Sequence, residues 1–177
     1  MTKLFLDCEF TALVKNAELI SLCMYADDAA YFYAEFNDYN RQELSTWHQE
    51  HVIKNLLFEW QDSFTESKGH ITRIKGNKEL VVASLVQWLS HLDQIEIWGD
   101  VLAYDWVLFC NLFGGALNIP KNIFYIPFDL ATLAKLKNRD PDFSRYAMAE
   151  KEMNGQHNAL EDCRVLKICW EKINSIQ

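Results

Sequence analysis

At 177 residues the chain fits one domain, residues 1–177, and with half its residues hydrophobic and 14% aromatic it has the material for a sizeable core. A formal net charge of −8 excludes a protein that coats nucleic acid non-specifically, because such binding runs on clustered Lys and Arg; it does not exclude a nuclease whose carboxylates are cancelled by bound cations. No stretch approaches the roughly 20 uninterrupted apolar residues of a membrane span, and Met1-Thr2-Lys3 leads straight into a strand-like run without a signal-peptide pattern, so the expectation is a cytoplasmic protein with no membrane partner.

Leu4 to Phe10 is a short apolar run with two carboxylates set into it, Asp7 and Glu9. It is too short for an independent helix and reads as a strand, whose alternation puts Asp7 and Glu9 on one face and Leu6, Cys8 and Phe10 on the other. Two adjacent like charges in apolar surroundings call for a cation between them, and a divalent metal is the simplest one. After a bend at Thr11 to Asn16, the runs Glu18 to Tyr25 and Ala30 to Phe36 flank the turn signal Asp27-Asp28 and complete an antiparallel three-stranded meander. Thr46 to Trp60 is compatible with helix. Asp62 to Gly76 reads as an irregular basic connection, carrying Lys68, Arg73 and Lys75, with Lys78 just beyond.

Lys78 to Leu92 has helical apolar spacing, Gln94 to Trp98 is a strand, and Tyr104 to Phe113 is a helix stopped by Gly114-Gly115. Ile123 to Phe128 is a further strand, followed by helices from Asp129 to Lys137, from Asp142 to about Met153, and, after the Asn154-Gly155 break, from Asn158 to Ile173. A meander followed by alternating helix and strand means an α/β fold with one mixed sheet covered by helices on both sides. The five cysteines, Cys8, Cys23, Cys110, Cys163 and Cys169, form no CxxC pair and read as reduced core thiols. Trp47, Trp60, Trp88 and Trp170 read as mostly core, and His48, His51, His70 and His91 as structural or surface residues.

Acidic residues recur where strands end or helices begin: Asp7 with Glu9, Asp100 or Asp105, Asp129, and His157 with Asp162. Such positions let distant segments converge on one metal site, and an imidazole beside carboxylates suits a general base acting on water. Asp129 reads as a helix cap. Asp100 and Asp105 stay open as alternatives for the third carboxylate.

These residues carry a resemblance. Asp7-Cys8-Glu9-Phe10 looks like the DxE first motif of the DEDDh 3′-5′ exonucleases, Leu102-Ala103-Tyr104-Asp105 like the second, and His157-Asn158-Ala159-Leu160-Glu161-Asp162 like the HxAxxD third. Phe128 to Leu133 resembles the segment between the last two. The order and spacing cover nearly the whole chain and are most similar to the small bacterial exoribonucleases related to RNase T. The resemblance implies a ribonuclease H-like fold with a five-stranded mixed sheet, second strand antiparallel, and two Mg²⁺ or Mn²⁺ ions held by Asp7, Glu9, Asp105 and Asp162. It makes His157 the base that deprotonates the attacking water, and Phe10 and Thr11 contacts of the terminal nucleotide. The implied substrate is single-stranded RNA or a 3′ overhang, with DNA as an alternative, trimmed to nucleoside 5′-monophosphates. A homodimer is also implied, with Lys68 to Lys78 as the candidate basic strip. A dinucleotide phosphodiesterase with the same site, or a catalytically idle RNA- or protein-binding module, are the rival readings.

Overall fold

Strand β1 (Thr2–Phe10) runs through the middle of the sheet, and its alternation sorts the core into two layers. Leu4, Leu6 and Cys8 face the helices α2 (Lys78–Leu89) and α3 (Ala103–Leu112), where they join Leu22, Met24, Phe32, Leu85 and Phe109. Phe5 faces the opposite way, against α4 (Leu130–Leu136), α5 (Arg145–Ala149) and α6 (Ala159–Asn174). The computed structural model describes residues 1–152 and 155–175, so Met153, the expected end of one helix, and Asn154 of the expected break lie outside the described residues.

β2 (Leu19–Ala26) pairs antiparallel with β1, and β3 (Tyr31–Phe36) antiparallel with β2, which is the expected meander. β6 (Ile95–Gly99) lies parallel on the other side of β1 and is followed by the two-residue β7 (Phe128–Asp129). The sheet has seven strands rather than five, since β4 (Phe64–Lys68) and β5 (Ile71–Gly76) join it in the order β4-β5-β3-β2-β1-β6-β7. The additional pair is a hairpin, turned at Gly69 with φ +60° and joined parallel to β3. It occupies the stretch that reads as an irregular connection, because its charged and hydroxyl side chains mask the strand alternation while shielding a sheet edge.

The same hairpin takes Lys75 out of the expected basic strip and leaves Lys68 exposed. Lys75 is only 2% exposed and reaches Glu35, itself 0% exposed, at 3.7 Å, donating to the Phe58 carbonyl at 2.6 Å. Arg73 pairs with Glu66 across the hairpin, and the Lys78 ammonium donates to the Asn111 carbonyl. Glu35 also accepts from the Leu57 and Phe58 amides and the Tyr33 hydroxyl, so the buried pair anchors the loop after β3 to the sheet.

Several helices are shorter than their patterns. The expected Thr46–Trp60 helix is α1 (Thr46–His51), followed by a single 3₁₀ turn at Ile53–Asn55. The helix expected from Asp142 reduces to α5, which ends at Glu150 in a left-handed conformation, φ 56°. Of the strand expected at Ile123 to Phe128, a bridge from Ile123 to Ile95 and β7 form. All five cysteines are buried and free, and no helix among the described residues is long and apolar enough to cross a membrane. Trp88 packs in the core, whereas Trp60 is 96% exposed and Trp47 lies open on α1.

Candidate active site

The sheet ends where β1 outruns its parallel neighbour. β1 and β6 pair only from Thr2 to Phe5, so the last residues of β1 project past β6 with an unpaired edge. Asp105, in the first turn of α3, closes that edge: its Oδ1 accepts the Cys8 amide at 2.9 Å. The turn that delivers it is strained, with β-branched Val101 at φ 48°, and Gly99 lies so close to Leu102 that a Cβ there would meet the Leu102 Cβ at 2.7 Å. Asp100 takes no part in the cluster; it is bound in two-pronged fashion by Arg145 at 2.7 and 2.8 Å.

Asp162 arrives from the opposite layer, in the first turn of α6. One carboxylate oxygen each from Asp7, Glu9 and Asp162 lies within 4.8 Å of the others. Asp162 Oδ1 accepts the Tyr146 hydroxyl at 2.6 Å. Asp7 Oδ2 is buried with no hydrogen-bond partner, and among the described residues no Lys or Arg ion pair reaches Asp7 or Asp162. The charge is therefore unbalanced. Burial, then the neighbouring Asp162, Asp105 and Glu9, hold the Asp7 carboxyl well above the usual range. Burial, then Asp162 and Asp105, push Glu9 up to about 8. Asp105 and Asp162 rise to about 6 through burial, although the Cys8 amide for the first, and Tyr146 with the His157 and Asn158 amides for the second, pull them back. Three converging carboxylates with Asp105 lining the same cleft, and one oxygen orphaned, are a donor set for hard divalent cations.

His157 stands at the rim, with Nδ1 3.8 Å from Glu9 Oε1, too far for a hydrogen bond. Its backbone is left-handed at φ 63°. Asn158 holds this loop, accepting the Leu160 and Glu161 amides as the cap of α6 and donating to the Asn55 carbonyl, while Asn55 donates to the Gln156 carbonyl at 2.8 Å. Burial and His51 lower the His157 pKa below the ordinary histidine value, so the ring is neutral at pH 7 and free to accept a proton.

A cleft of about 490 Å³ opens beside Asp7, Glu9, Asp105 and His157, walled by Phe10, Leu13 and Trp47. The pairing of β1 with β2 shifts register between Glu9 and Phe10, and this irregularity lets Phe10 share the cleft with carboxylates from the other face of its strand. Phe10 stacks on Tyr104 at 6.0 Å. Thr11 does not line the cleft. It is 1% exposed, and its hydroxyl accepts the Glu18 amide at 3.1 Å and closes the bend, which leaves only its backbone for a nucleotide contact. Sequence reasoning missed Trp47, whose ring meets His157 edge-on at 4.9 Å and stacks on His51 at 5.0 Å. It also missed Tyr146. Neither has a sequence signal of its own, because an aromatic residue in a half-apolar chain reads as core. His48 caps α1 with Ser45 and lines the cleft as well, and Asp129 caps α4.

Comparison with known proteins finds relatives of the chain. Two curated proteins of Mycobacterium tuberculosis, the 3′-5′ exoribonuclease Rv2179c of strain H37Rv and the 3′-5′ exoribonuclease MT2234.1 of strain CDC 1551, are each 26% identical over 119 residues. That alignment covers 67% of this chain and 66% of each relative, so the chain spans just under two thirds of their length. The family model described as the 3′-5′ exoribonuclease Rv2179c-like domain matches residues 2–174, and the chain belongs to that family.

Proposed function

We propose that the protein is a divalent-metal-dependent 3′-5′ exoribonuclease of DEDDh type and ribonuclease H-like architecture. The reading rests on one observation above the rest: Asp7, Glu9 and Asp162 converge, with Asp105 beside them, around a buried carboxylate oxygen that has no partner in the protein. Asp7, Glu9, Asp105 and Asp162 would hold two Mg²⁺ or Mn²⁺ ions, with Asp7 shared. When bound, the ions supply charge neutralisation for the phosphate and the leaving 3′-oxygen. The strand order β3-β2-β1-β6-β7, with β2 antiparallel, supports the architecture, and the hairpin β4-β5 extends it.

The side chains divide the remaining work. His157, neutral and poised at the rim, takes a proton from the attacking water. Phe10, Leu13 and Trp47 offer apolar walls for the terminal nucleoside, and base stacking of this kind tolerates every base while selecting single strands. Asp105 serves as the third carboxylate, a choice supported by Asp100 being committed to Arg145. The proposal extends to a pair of chains, for which the exposed Val14, Tyr104 and Val107 beside the cleft offer apolar surface.

The test uses matched oligonucleotides in Mg²⁺. RNA with a free 3′-hydroxyl is shortened one nucleotide at a time from that end; the same RNA closed by a 3′-phosphate is spared, and DNA is cut more slowly. Internal cleavage, or equal loss of the blocked RNA, overturns the exonuclease reading.

A further inference from the structure

One side chain bonded to the carboxylate cluster is given no task by the proposed chemistry. Tyr146 lies on α5, 16 residues before Asp162, is buried, and donates its hydroxyl to Asp162 Oδ1 at 2.6 Å. Oδ1 of Asp162 thereby carries a fixed hydrogen bond, while one oxygen of the same carboxylate lies within 4.8 Å of an oxygen of Asp7 and of Glu9.

The phenol can do this because α5 cannot slide. Arg145, its neighbour, binds both oxygens of Asp100 and donates to the carbonyls of Phe143 and Pro141 at 2.6 and 2.8 Å, with its guanidinium over the Phe143 ring at 4.3 Å. With four hydrogen bonds made inside the protein, Arg145 is poorly placed to act as a free phosphate ligand. The far end of α5 is tied to α6 by Lys172, which donates to the Met148 carbonyl and pairs with Glu150. Asp100 stands at the end of β6, in the same turn that leads to Asp105. A chain Asp100-Arg145-Tyr146-Asp162 therefore connects the turn that sets one carboxylate with the side chain of another.

We infer that Tyr146 is a positioning residue that fixes the rotamer of Asp162 for cation binding, and that the Asp100–Arg145 pair acts through it. The inference rests on the reading of the carboxylate cluster as a metal site. Outer hydrogen-bond partners of metal ligands typically change affinity by about 10–100-fold when removed. Tyr146→Phe keeps the ring in the core and deletes only the donor.

The experiment measures Mn²⁺ binding by calorimetry without RNA, and separately the Mg²⁺ dependence of RNA trimming. Tyr146→Phe is expected to weaken Mn²⁺ by about tenfold or more and to raise the Mg²⁺ needed for half-maximal rate, with turnover at saturating Mg²⁺ reduced less. Asp100→Asn is expected to weaken Mn²⁺ by a smaller factor, and to add nothing in the Tyr146→Phe background. Wild-type Mn²⁺ affinity in Tyr146→Phe overturns the inference and leaves the proposed function standing. Effects of the two substitutions that multiply show that Asp100 acts elsewhere and refute the chain. If the unaltered protein binds no Mn²⁺, the proposed function falls and the inference falls with it.

Discussion

The unbalanced cluster makes a quantitative prediction about stability. Without cations, Glu9 moves from 4.5 to about 8, and Asp105 and Asp162 from 3.8 to about 6. Groups whose folded-state pKa is raised favour the native state while protonated; the contribution is fully present below the unfolded value and is lost as pH climbs through the folded one. The native metal-free protein should therefore lose stability between about pH 4 and about pH 8. At about 1.4 kcal/mol per pKa step, each aspartate accounts for about 3 kcal/mol and Glu9 for about 5 kcal/mol. A proton held by one carboxylate relieves the others, so the whole cluster costs on the order of 5 kcal/mol rather than the total. For a domain of this size that is about 10–20 °C in melting temperature. His157 works the other way, since its lowered pKa adds a little stability as pH rises toward about 6.5. The assay is the melting temperature in EDTA and in excess Mg²⁺ or Mn²⁺ across this pH range. Cation at about a hundred times its Kd adds about 2.7 kcal/mol, and the shift it produces should grow from pH 5 upward as protons leave the site. A cation-induced shift that is absent, or equally large at about pH 5 and about pH 8, refutes the electrostatic account.

Other parts of the structure can be tested with it. Lys75→Met strands the Glu35 carboxylate in the core and should cost about 3–5 kcal/mol, while adding Glu35→Gln should recover much of the loss; a single variant that melts like the parent contradicts the buried pair. Asn158→Ala removes the cap of α6 and the clamp on the His157 loop, so it should cost about 1–2 kcal/mol and also lower turnover in folded enzyme. Parental turnover in that variant would show that the loop needs no clamp. Light scattering should give the mass of two chains if pairing is part of the function, and a single-chain mass removes it.

The site was legible where charge sits against its surroundings. Asp7 and Glu9 stand out because a strand with Leu4, Phe5, Leu6 and Cys8 has no structural use for two acids. Asp105 and Asp100 could not be separated by sequence, since both follow β6 within six residues and the partner that claims Asp100 lies 45 positions away. The same distance effect hid Tyr146, whose role exists only because α5 and α6 pack together. Lys75 misled for the opposite reason: a charged residue in a basic run reads as surface until β5 is seen to pair with β3 and turn it onto Glu35. Thr11 follows the motif by position, but the bend after β1 turns its side chain inward. The meander and the helices that cover it were readable from apolar periodicity, whereas the hairpin at the sheet edge has too few apolar positions to show one.

Hydrolysis of 3′-end-labelled RNA by wild-type protein and by Asp7→Asn, each with Mg²⁺ and with EDTA, tests the central claim most directly. Asp7 carries the orphaned oxygen around which the other carboxylates gather, and its asparagine is nearly isosteric. The account predicts stepwise release of nucleoside 5′-monophosphates by the wild type in Mg²⁺, and none in EDTA or by the variant even though it folds. Trimming that persists in EDTA, or in Asp7→Asn, would contradict it.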